Sequence, residues 1–408
     1  MFEYAKIIIV EMRNIMKIMS INAGSSSLKF SLFNMDNNKV LLSGLFERIG
    51  IEGSCYTLKY DEYKIKQEED IKSHSDAVKI LMDKLIELGI VNNLEEIDGI
   101  GHRIVHGGAI YKESVVVTDK VLDDIIALSD LAPLHNPAHA MCIKAFKEVL
   151  PNTPMVAVFD TAFHQTIEKD RYLYAVPYNW YEDYQVRKYG AHGTSHRYVS
   201  LKLKEELKRD DLNIICCHLG NGGSITAIKN GKCIDTSMGF TPHAGIMMGT
   251  RSGDIDVSMV PYVMEKEGKS AGEIMNDLNK KSGFLGVSGL SSDSRDIEDG
   301  VKEGNERCIL AQKMYVNSVV KYIAQYYVLL GKVDAIAFTA GIGENSISTR
   351  SDIIEKLTCL GIELDAEANN TRGKFAKISA KNSSVDVYVV PTNEELMIAQ
   401  DTLNLINR

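Results

Sequence analysis

Three short stretches of this sequence have the make-up of anion-binding loops. Asn22-Ala23-Gly24-Ser25-Ser26-Ser27, Gly220-Asn221-Gly222-Gly223-Ser224 and Ala340-Gly341-Ile342-Gly343-Glu344-Asn345 each follow an apolar, strand-like run. Glycine and serine let backbone N–H groups approach a phosphate closely, because little side chain intervenes. A single turn of this kind is an ordinary hairpin, but three at strand ends point to a polyphosphate ligand. No G-x-x-x-x-G-K-[ST] stretch occurs, which excludes a P-loop ATPase. The first two loops join strand to strand, which argues against a dinucleotide fold. Arg103, in Gly101-His102-Arg103-Ile104-Val105-His106-Gly107-Gly108, and Arg251, in Met248-Gly249-Thr250-Arg251-Ser252-Gly253-Asp254, are flanked by Gly-rich backbone. Beside phosphate loops, two such arginines suit an anion clamp.

The histidines are unevenly placed. Of ten, nine lie between His102 and His243, and only His74 falls outside. His102/His106, His135/His139 and His192/His196 are spaced i, i+4, the spacing of zinc-binding helices. The first pair ends a strand, where that spacing separates the residues by roughly 13 Å. Pro137 interrupts the second pair, and the third lies in a Gly-containing loop. A histidine metal site is therefore not expected.

Hydrophobic patterning supplies the elements that would position these residues. Strands are expected at Lys17–Asn22, Leu28–Phe33 and Val40–Phe46, with Tyr56–Ile65 alternating as an added edge strand. A helix over Ser75–Leu88, a strand Ile97–Val105, helices Val121–Leu128 and Ala138–Leu150 and a strand Met155–Phe159 follow, giving the order β-β-β-α-β-α-β. The second half repeats the plan, with strands at Asn213–His218, Ser224–Ile228, Lys232–Thr236, Val333–Phe338 and Val385–Val390, and a last helix from near Asn393. Two copies of one α/β unit suggest two lobes facing a cleft. The expected division is an extension over 1–15, a first lobe over 16–165 plus 395–408, and a second over 166–394. Met16, immediately before the first strand, would be a natural translation start, so residues 1–15 are expected to be an over-called start rather than a short extra strand.

Composition narrows the class of protein. The 408 residues are 45% hydrophobic and 25% charged, enough to bury large cores. With a net charge of −9 a strongly basic nucleic-acid surface is not the expected reading, although net charge says little about any one cleft. No apolar run approaches the ~20 residues that span a bilayer. The N-terminal residues show no cleavage pattern of a signal peptide. Seven cysteines without a C-x-x-C pair form neither a disulfide framework nor a zinc ribbon. A reducing cytoplasm fits them.

Taken together, the motifs resemble the acetate kinase family, which belongs to the superfamily of actin, hexokinase and the heat-shock chaperone ATPases. The likeness runs from about Met16 to Thr402. It rests on Ile21–Leu28 (INAGSSSL), Gly101–Gly108 (GHRIVHGG), Leu131–Pro137 (LAPLHNP), Val158–Thr166 (VFDTAFHQT), His192–Ser200 (HGTSHRYVS), His218–Gly222 (HLGNG), Phe338–Ser346 (FTAGIGENS) and Pro391–Ile398 (PTNEELMI). The resemblance implies duplicated ribonuclease-H-like, actin-like α/β domains and reversible transfer of phosphate from ATP to acetate, with Mg²⁺ (or Mn²⁺), in a homodimer. Carried onto matching positions, it implies a metal site at Asn22 and Glu394, with Ser25, Ser27 and Lys29 nearby and Glu395 as the alternative to Glu394. Arg103, Asp160, His192 and Arg251 would form the reacting centre. His218, Leu219, Gly220, Asn221 and Gly222 would hold phosphate, and Asp293, Ser294, Arg295 and Gly341, Ile342, Gly343, Glu344, Asn345 the adenosine. Val105, Leu134, Ala191 and Pro242 would line the acyl pocket. Three departures stand out: Ala191 where Phe is usual, His243-Ala244 where Leu-Glu is common, and Val257 in place of Pro. The first predicts a larger acyl pocket unless neighbours fill it. The rival readings are a propionate- or butyrate-type acyl kinase and a non-catalytic, actin-like nucleotide binder.

Overall fold

The structure is a computed structural model describing residues 15–133 and 135–407. It divides into two compact units. One runs to Ala162 and resumes at Asn393, and the other is Phe163–Thr392.

The first unit is built on an eight-stranded sheet with the order β5-β4-β3-β2-β1-β6-β8-β7. Its strands are β1 (Lys17–Ala23), β2 (Ser27–Asn34), β3 (Lys39–Glu47), β4 (Cys55–Tyr60), β5 (Tyr63–Glu68), β6 (Gly99–Ile104), β7 (Val115–Val116) and β8 (Met155–Phe159). Side chains alternate across a strand, and the core sorts accordingly. Met19, Ile21, Ala157 and Phe159 pack with residues of helices His74–Glu87 and Asn136–Val149, such as Val78, Leu81, Ile143 and Phe146. On the opposite face Ile18 and Phe33 meet Ala399, while Val156 and Val158 meet Ile398, both from helix Glu394–Ile406. That helix lies hard against β6 because Gly101 has no side chain. A Cβ there would overlap Thr402 Oγ1 and stand 2.5 Å from Ile398 Cγ2. β1, β6 and β8 are parallel, with Ile21 opposite His102 and Ile104 opposite Phe159. Asn22, Arg103 and Asp160 thus sit at or just past the carboxyl ends of three adjacent strands, where ligands of open α/β sheets bind.

The second unit repeats the arrangement in six strands, β11-β10-β9-β12-β14-β13. They are β9 (Asn213–Leu219), β10 (Gly223–Lys229), β11 (Lys232–Thr236), β12 (Ala335–Thr339), β13 (Ala376–Lys377) and β14 (Asp386–Val389). In each unit an antiparallel meander, of five strands in the first and three in the second, is extended by two parallel strands, so the expected duplicated α/β plan is present. The adjacent thiols of Cys216 and Cys217 mark the two faces. Cys217 joins Tyr315, Val319 and Ile323 of helix Glu306–Leu330, and Cys216 joins Val199 and Leu203 of helix Gly193–Leu207.

Several elements differ from the sequence reading. Residues 56–65 are not one edge strand but parts of a hairpin, β4 and β5, turning at Asp61 with φ 45°. Alternation continues through the turn, so periodicity alone does not reveal it. The third Gly-rich stretch is a short helix, Ala340–Asn345, entered through Ala340 at φ 63°. β7 and β13 have only two residues each, too few to show a period.

Candidate active site

In the first unit Arg103 and Asp160 form a forked ion pair. Arg103 Nε lies 3.2 and 3.1 Å from the two carboxylate oxygens, and Nη2 donates to Oδ2 at 2.6 Å. Asp160 is fully buried. Burial opposes the charge on Arg103, but Asp160 first, then Glu394, outweigh it and hold the guanidinium protonated. Two parallel charge-assisted bonds fix the plane of the guanidinium as well as its place.

Helix Glu394–Ile406 brings a second carboxylate to this group. Asn393 caps the helix, its side chain accepting from Leu396 N. Glu394 Oε1 is buried without a hydrogen-bond partner. Burial pushes the Glu394 carboxyl up; Arg103 opposes this, and Asp160 and Glu395 add to it. Such an orphaned oxygen suits a cation. Mg²⁺ commonly takes only one or two protein carboxylates, completing its shell with water and phosphate oxygens. Glu394, with Asn22 at the end of β1, fits that pattern. Among the described residues no group of three or more His, Cys, Asp or Glu is placed to hold a metal. Lys29, across from Asn22 in the β1–β2 ladder, pairs with Glu395. His74, the outlying histidine, places Nε2 2.8 Å from the Gly24 carbonyl and so braces the first Ser/Gly loop. Val105 is buried in this unit, and Leu134 lies outside the described residues.

The second unit gathers a different set. His192 precedes helix Gly193–Leu207 with φ 58°, a left-handed conformation that costs a non-glycine residue about 1–2 kcal/mol. Gly190 makes this turn possible: with φ 76°, a Cβ would stand 2.6 Å from His164 Cδ2. A Cβ at Gly222 would lie 3.5 Å from Arg251 Nη1 and 3.6 Å from His192 Nε2. Three of the sequence-selected residues therefore converge on one point. Arg251 Nη1 donates to the Pro242 carbonyl at 2.8 Å, and burial lowers its pKa. Among the described residues no carboxylate forms an ion pair with it. His243 explains one departure, since its Nε2 is 2.9 Å from Ser252 Oγ and its Nδ1 3.1 Å from Asn279 Oδ1, bracing the Arg251 loop. Ala244 has no evident counterpart of that kind, and Val257 is 77% exposed.

A cavity of ≈ 580 Å³ opens in the same unit. Gly220, Asn221, Asp293, Ser294, Arg295, Gly341, Ile342 and Asn345 line it. Leu219 is instead in the core, and Glu344 turns inward, its Oε1 accepting from Ala340 N at 2.8 Å and Thr392 N at 3.1 Å. His218, Gly222 and Gly343 do not line the cavity, and Lys29 belongs to the first unit. Ser292, Glu298, Ser346 and Arg372 complete the lining and escaped the sequence reading. Glu298 stands one turn beyond Ser294 on helix Ser294–Lys302, a helical spacing that could have suggested it. Arg372 follows from no local pattern. Asp293 caps that helix and is held down to about 2 by Arg295.

Ala191 is buried against Met238 and Met248. The space left by the missing ring is therefore bordered by two flexible, polarizable side chains that adapt to what adjoins them. None of the described histidines forms a metal cluster, and most make specific contacts. His164 Nε2 is 2.8 Å from the Ala191 carbonyl, and His106 Nδ1 accepts from Gly108 N at 3.0 Å.

A strand-end arginine beside buried carboxylates in one unit, and a loop arginine and a Gly-lined cavity in the other, on a duplicated α/β plan, are the parts of a phosphotransferase. The family model described as the acetokinase family matches residues 17–400. An acetate kinase of Bacillus velezensis is 55% identical over 391 residues, covering 95% of this chain and 99% of the relative. Among solved structures, an acetate kinase of Porphyromonas gingivalis superposes with a TM-score of 0.92 at 45% identity, covering 96% of this chain and all of that one. A propionate kinase of Francisella tularensis gives 0.91 at 44% over the same shares. The chain belongs to the acetokinase family and is a phosphotransferase whose acceptor is a carboxyl group.

Proposed function

We propose that the chain catalyses reversible, Mg²⁺-dependent phosphoryl transfer from ATP to acetate, forming acetyl phosphate and ADP. The convergence of Arg251 Nη1 and His192 Nε2 on Gly222 carries this reading. Acetate is ionised at neutral pH, so no general base is needed to make the nucleophile, unlike in a hydroxyl kinase. The obstacle is bringing one anion up to another. Arg103, held flat by Asp160, positions the carboxylate. Arg251 and His192 supply donors to the equatorial oxygens of the transferring group, whose charge spreads in a loose transition state. Positioning is then the main task. When bound, Mg²⁺ would neutralise phosphate charge, held by Glu394 and Asn22. Gly220, Asn221, Asp293, Ser294, Arg295 and the Gly341–Asn345 segment would receive the nucleotide.

The decisive assay traps acyl phosphate with hydroxylamine in the presence of ATP, Mg²⁺ and a panel of short carboxylic acids. Acetyl hydroxamate is expected. No product with any acid would overturn the reading in favour of a nucleotide-binding protein without catalysis.

The acceptor range is proposed to extend to propionate. Ala191 offers volume, and Met238 and Met248 flex to share it. Discrimination per methylene is only about 1–3 kcal/mol, so the range broadens rather than switches. The Ala191→Phe variant is expected to lower the propionate-to-acetate ratio of kcat/KM by roughly tenfold. A strong acetate preference in the parent that this variant leaves unchanged would sink the proposal. A homodimer, which the family resemblance implies, would be tested by sedimentation velocity. Seven unpaired cysteines, six of them buried, support a cytoplasmic site of action.

A further inference from the structure

Four imidazoles of the second unit lie close together. His192 stacks on His218 with centroids 4.1 Å apart, His196 is 6.0 Å from His218, and His164 is 5.9 Å from His196. The proposed chemistry uses His192 and leaves His196 without a task, although His196 is fully buried. Among the described residues its ring makes one hydrogen bond, between Nε2 and Ser224 Oγ at 2.7 Å, and its Nδ1 has no partner. The same Ser224 oxygen lies 2.9 Å from His192 Nδ1. Ser224 is also fully buried, on β10 directly opposite His218.

One hydroxyl carries one proton, and that decides the direction of both bonds. If His192 Nδ1 carried its ring proton and donated to Ser224, the hydroxyl would donate to His196 Nε2. The His196 proton would then sit on Nδ1, an N–H buried with no acceptor. Orphaned buried N–H groups are rarer in proteins than under-used acceptors, and each costs about 1–3 kcal/mol. If both rings donated to Ser224, the hydroxyl proton would be the orphan. Charging His196 instead is opposed by burial, which lowers its pKa well below the ordinary value. The arrangement without an orphaned donor is His196 Nε2–H to Ser224 Oγ, then Ser224 O–H to His192 Nδ1.

Resting on the phosphotransferase reading above, we propose that His196 and Ser224 are positioning residues that fix His192 in the tautomer protonated at Nε2. That nitrogen is the one facing Gly222 beside Arg251 Nη1. The pair therefore aims a standing N–H donor at the transferring phosphoryl group, and no proton is transferred along the relay. A wrong tautomer at a catalytic histidine removes most of its contribution even when geometry is intact.

The test is made on the full-length enzyme labelled with ¹⁵N-histidine, using long-range ¹H–¹⁵N correlation and a His192→Gln variant for assignment. The expected result is a neutral His192 protonated at Nε2 in the parent enzyme. Ser224→Ala is expected to abolish that preference and to lower kcat on the order of 10–100-fold, with KM for ATP within about twofold, as for outer partners of metal-bound histidines. His196→Gln, whose amide N–H stands where Nε2–H stood, is expected to keep both tautomer and kcat close to the parent, while His196→Leu should match Ser224→Ala. A parent His192 protonated at Nδ1 overturns the proposal, and so does a Ser224→Ala enzyme with unchanged tautomer and kcat. Absence of acyl hydroxamate in the parent would instead overturn the phosphotransferase reading, leaving the tautomer measurement standing.

Discussion

Replacing Arg251 with alanine is expected to lower kcat by on the order of 10³–10⁵-fold, the range lost when an arginine finger is removed from a phosphoryl-transfer site. The two arginines are not equivalent. Arg103 is neutralised by a fully buried Asp160 in a forked pair. Arg251 is partly buried, and among the described residues its hydrogen-bond acceptors are the Pro242 carbonyl and the Met248 sulfur. An uncompensated, desolvated cation is unfavourable in the free protein and becomes favourable when an anion arrives. Arg251→Ala should therefore leave the melting temperature unchanged or slightly raised while activity collapses, a stability–activity trade-off. Arg103→Ala should lose activity and stability together, because it strands Asp160 without its charge partner, and breaking such a pair costs about 3–5 kcal/mol. Arg251→Lys should not restore the rate, since an ammonium lacks the planar fork. Single-turnover hydroxamate assays beside thermal unfolding check all three. An Arg251→Ala enzyme retaining a tenth or more of the parent kcat would remove Arg251 from the reacting centre.

How much of this was legible in the sequence depends on range. Strands of five or more residues show a period, and the Gly-rich loops between them were readable, so the duplicated α/β plan followed directly. Two-residue strands and the β4–β5 hairpin were not readable, because the first have no period and the second keeps its period through Asp61. Arg103 and Asp160 were each singled out, but their pairing needs the parallel register of β6 and β8, which no local pattern encodes. The inward turn of Glu344 was hidden for a related reason. A carboxylate in a Gly-rich stretch can face a ligand or cap its own loop, and the partner that decides, Thr392 N, is 48 residues away. Arg372 reaches the cavity lining from an irregular stretch with no motif at all. Ser224 stood inside a phosphate-loop motif as one more small residue. Its use emerges only when His196, one helical turn from His192, brings a second ring to the same oxygen.

The clustered histidines should also make the first unit sensitive to acid. His102 and His139 are buried and held down to about 3, and His106 to about 4, in each case chiefly by burial. Neither ring nitrogen of His139 has a hydrogen-bond partner, nor does His102 Nε2. The unfolded chain protonates these rings near the ordinary 6.5, the folded chain only near 3 to 4. Between those values the unfolded state binds more protons, so stability falls as pH falls. Each such histidine contributes a slope of up to about 1.4 kcal/mol per pH unit. Three together approach about 4 kcal/mol per unit, against a total stability of about 5–15 kcal/mol for a typical domain. The first unit is therefore expected to lose on the order of 5 kcal/mol of stability between pH 6.5 and about 5, above the range of Asp124, which Lys120 holds below the usual carboxylate value. Urea unfolding at a series of pH values, followed by hydrogen exchange to separate the two units, measures the slope. His139→Leu deletes two unpartnered polar atoms together with one titrating group, so it should flatten the slope by close to one proton without lowering stability at pH 7. A slope unchanged by that substitution would mean that His139 is already protonated in the folded protein, with a compensating partner.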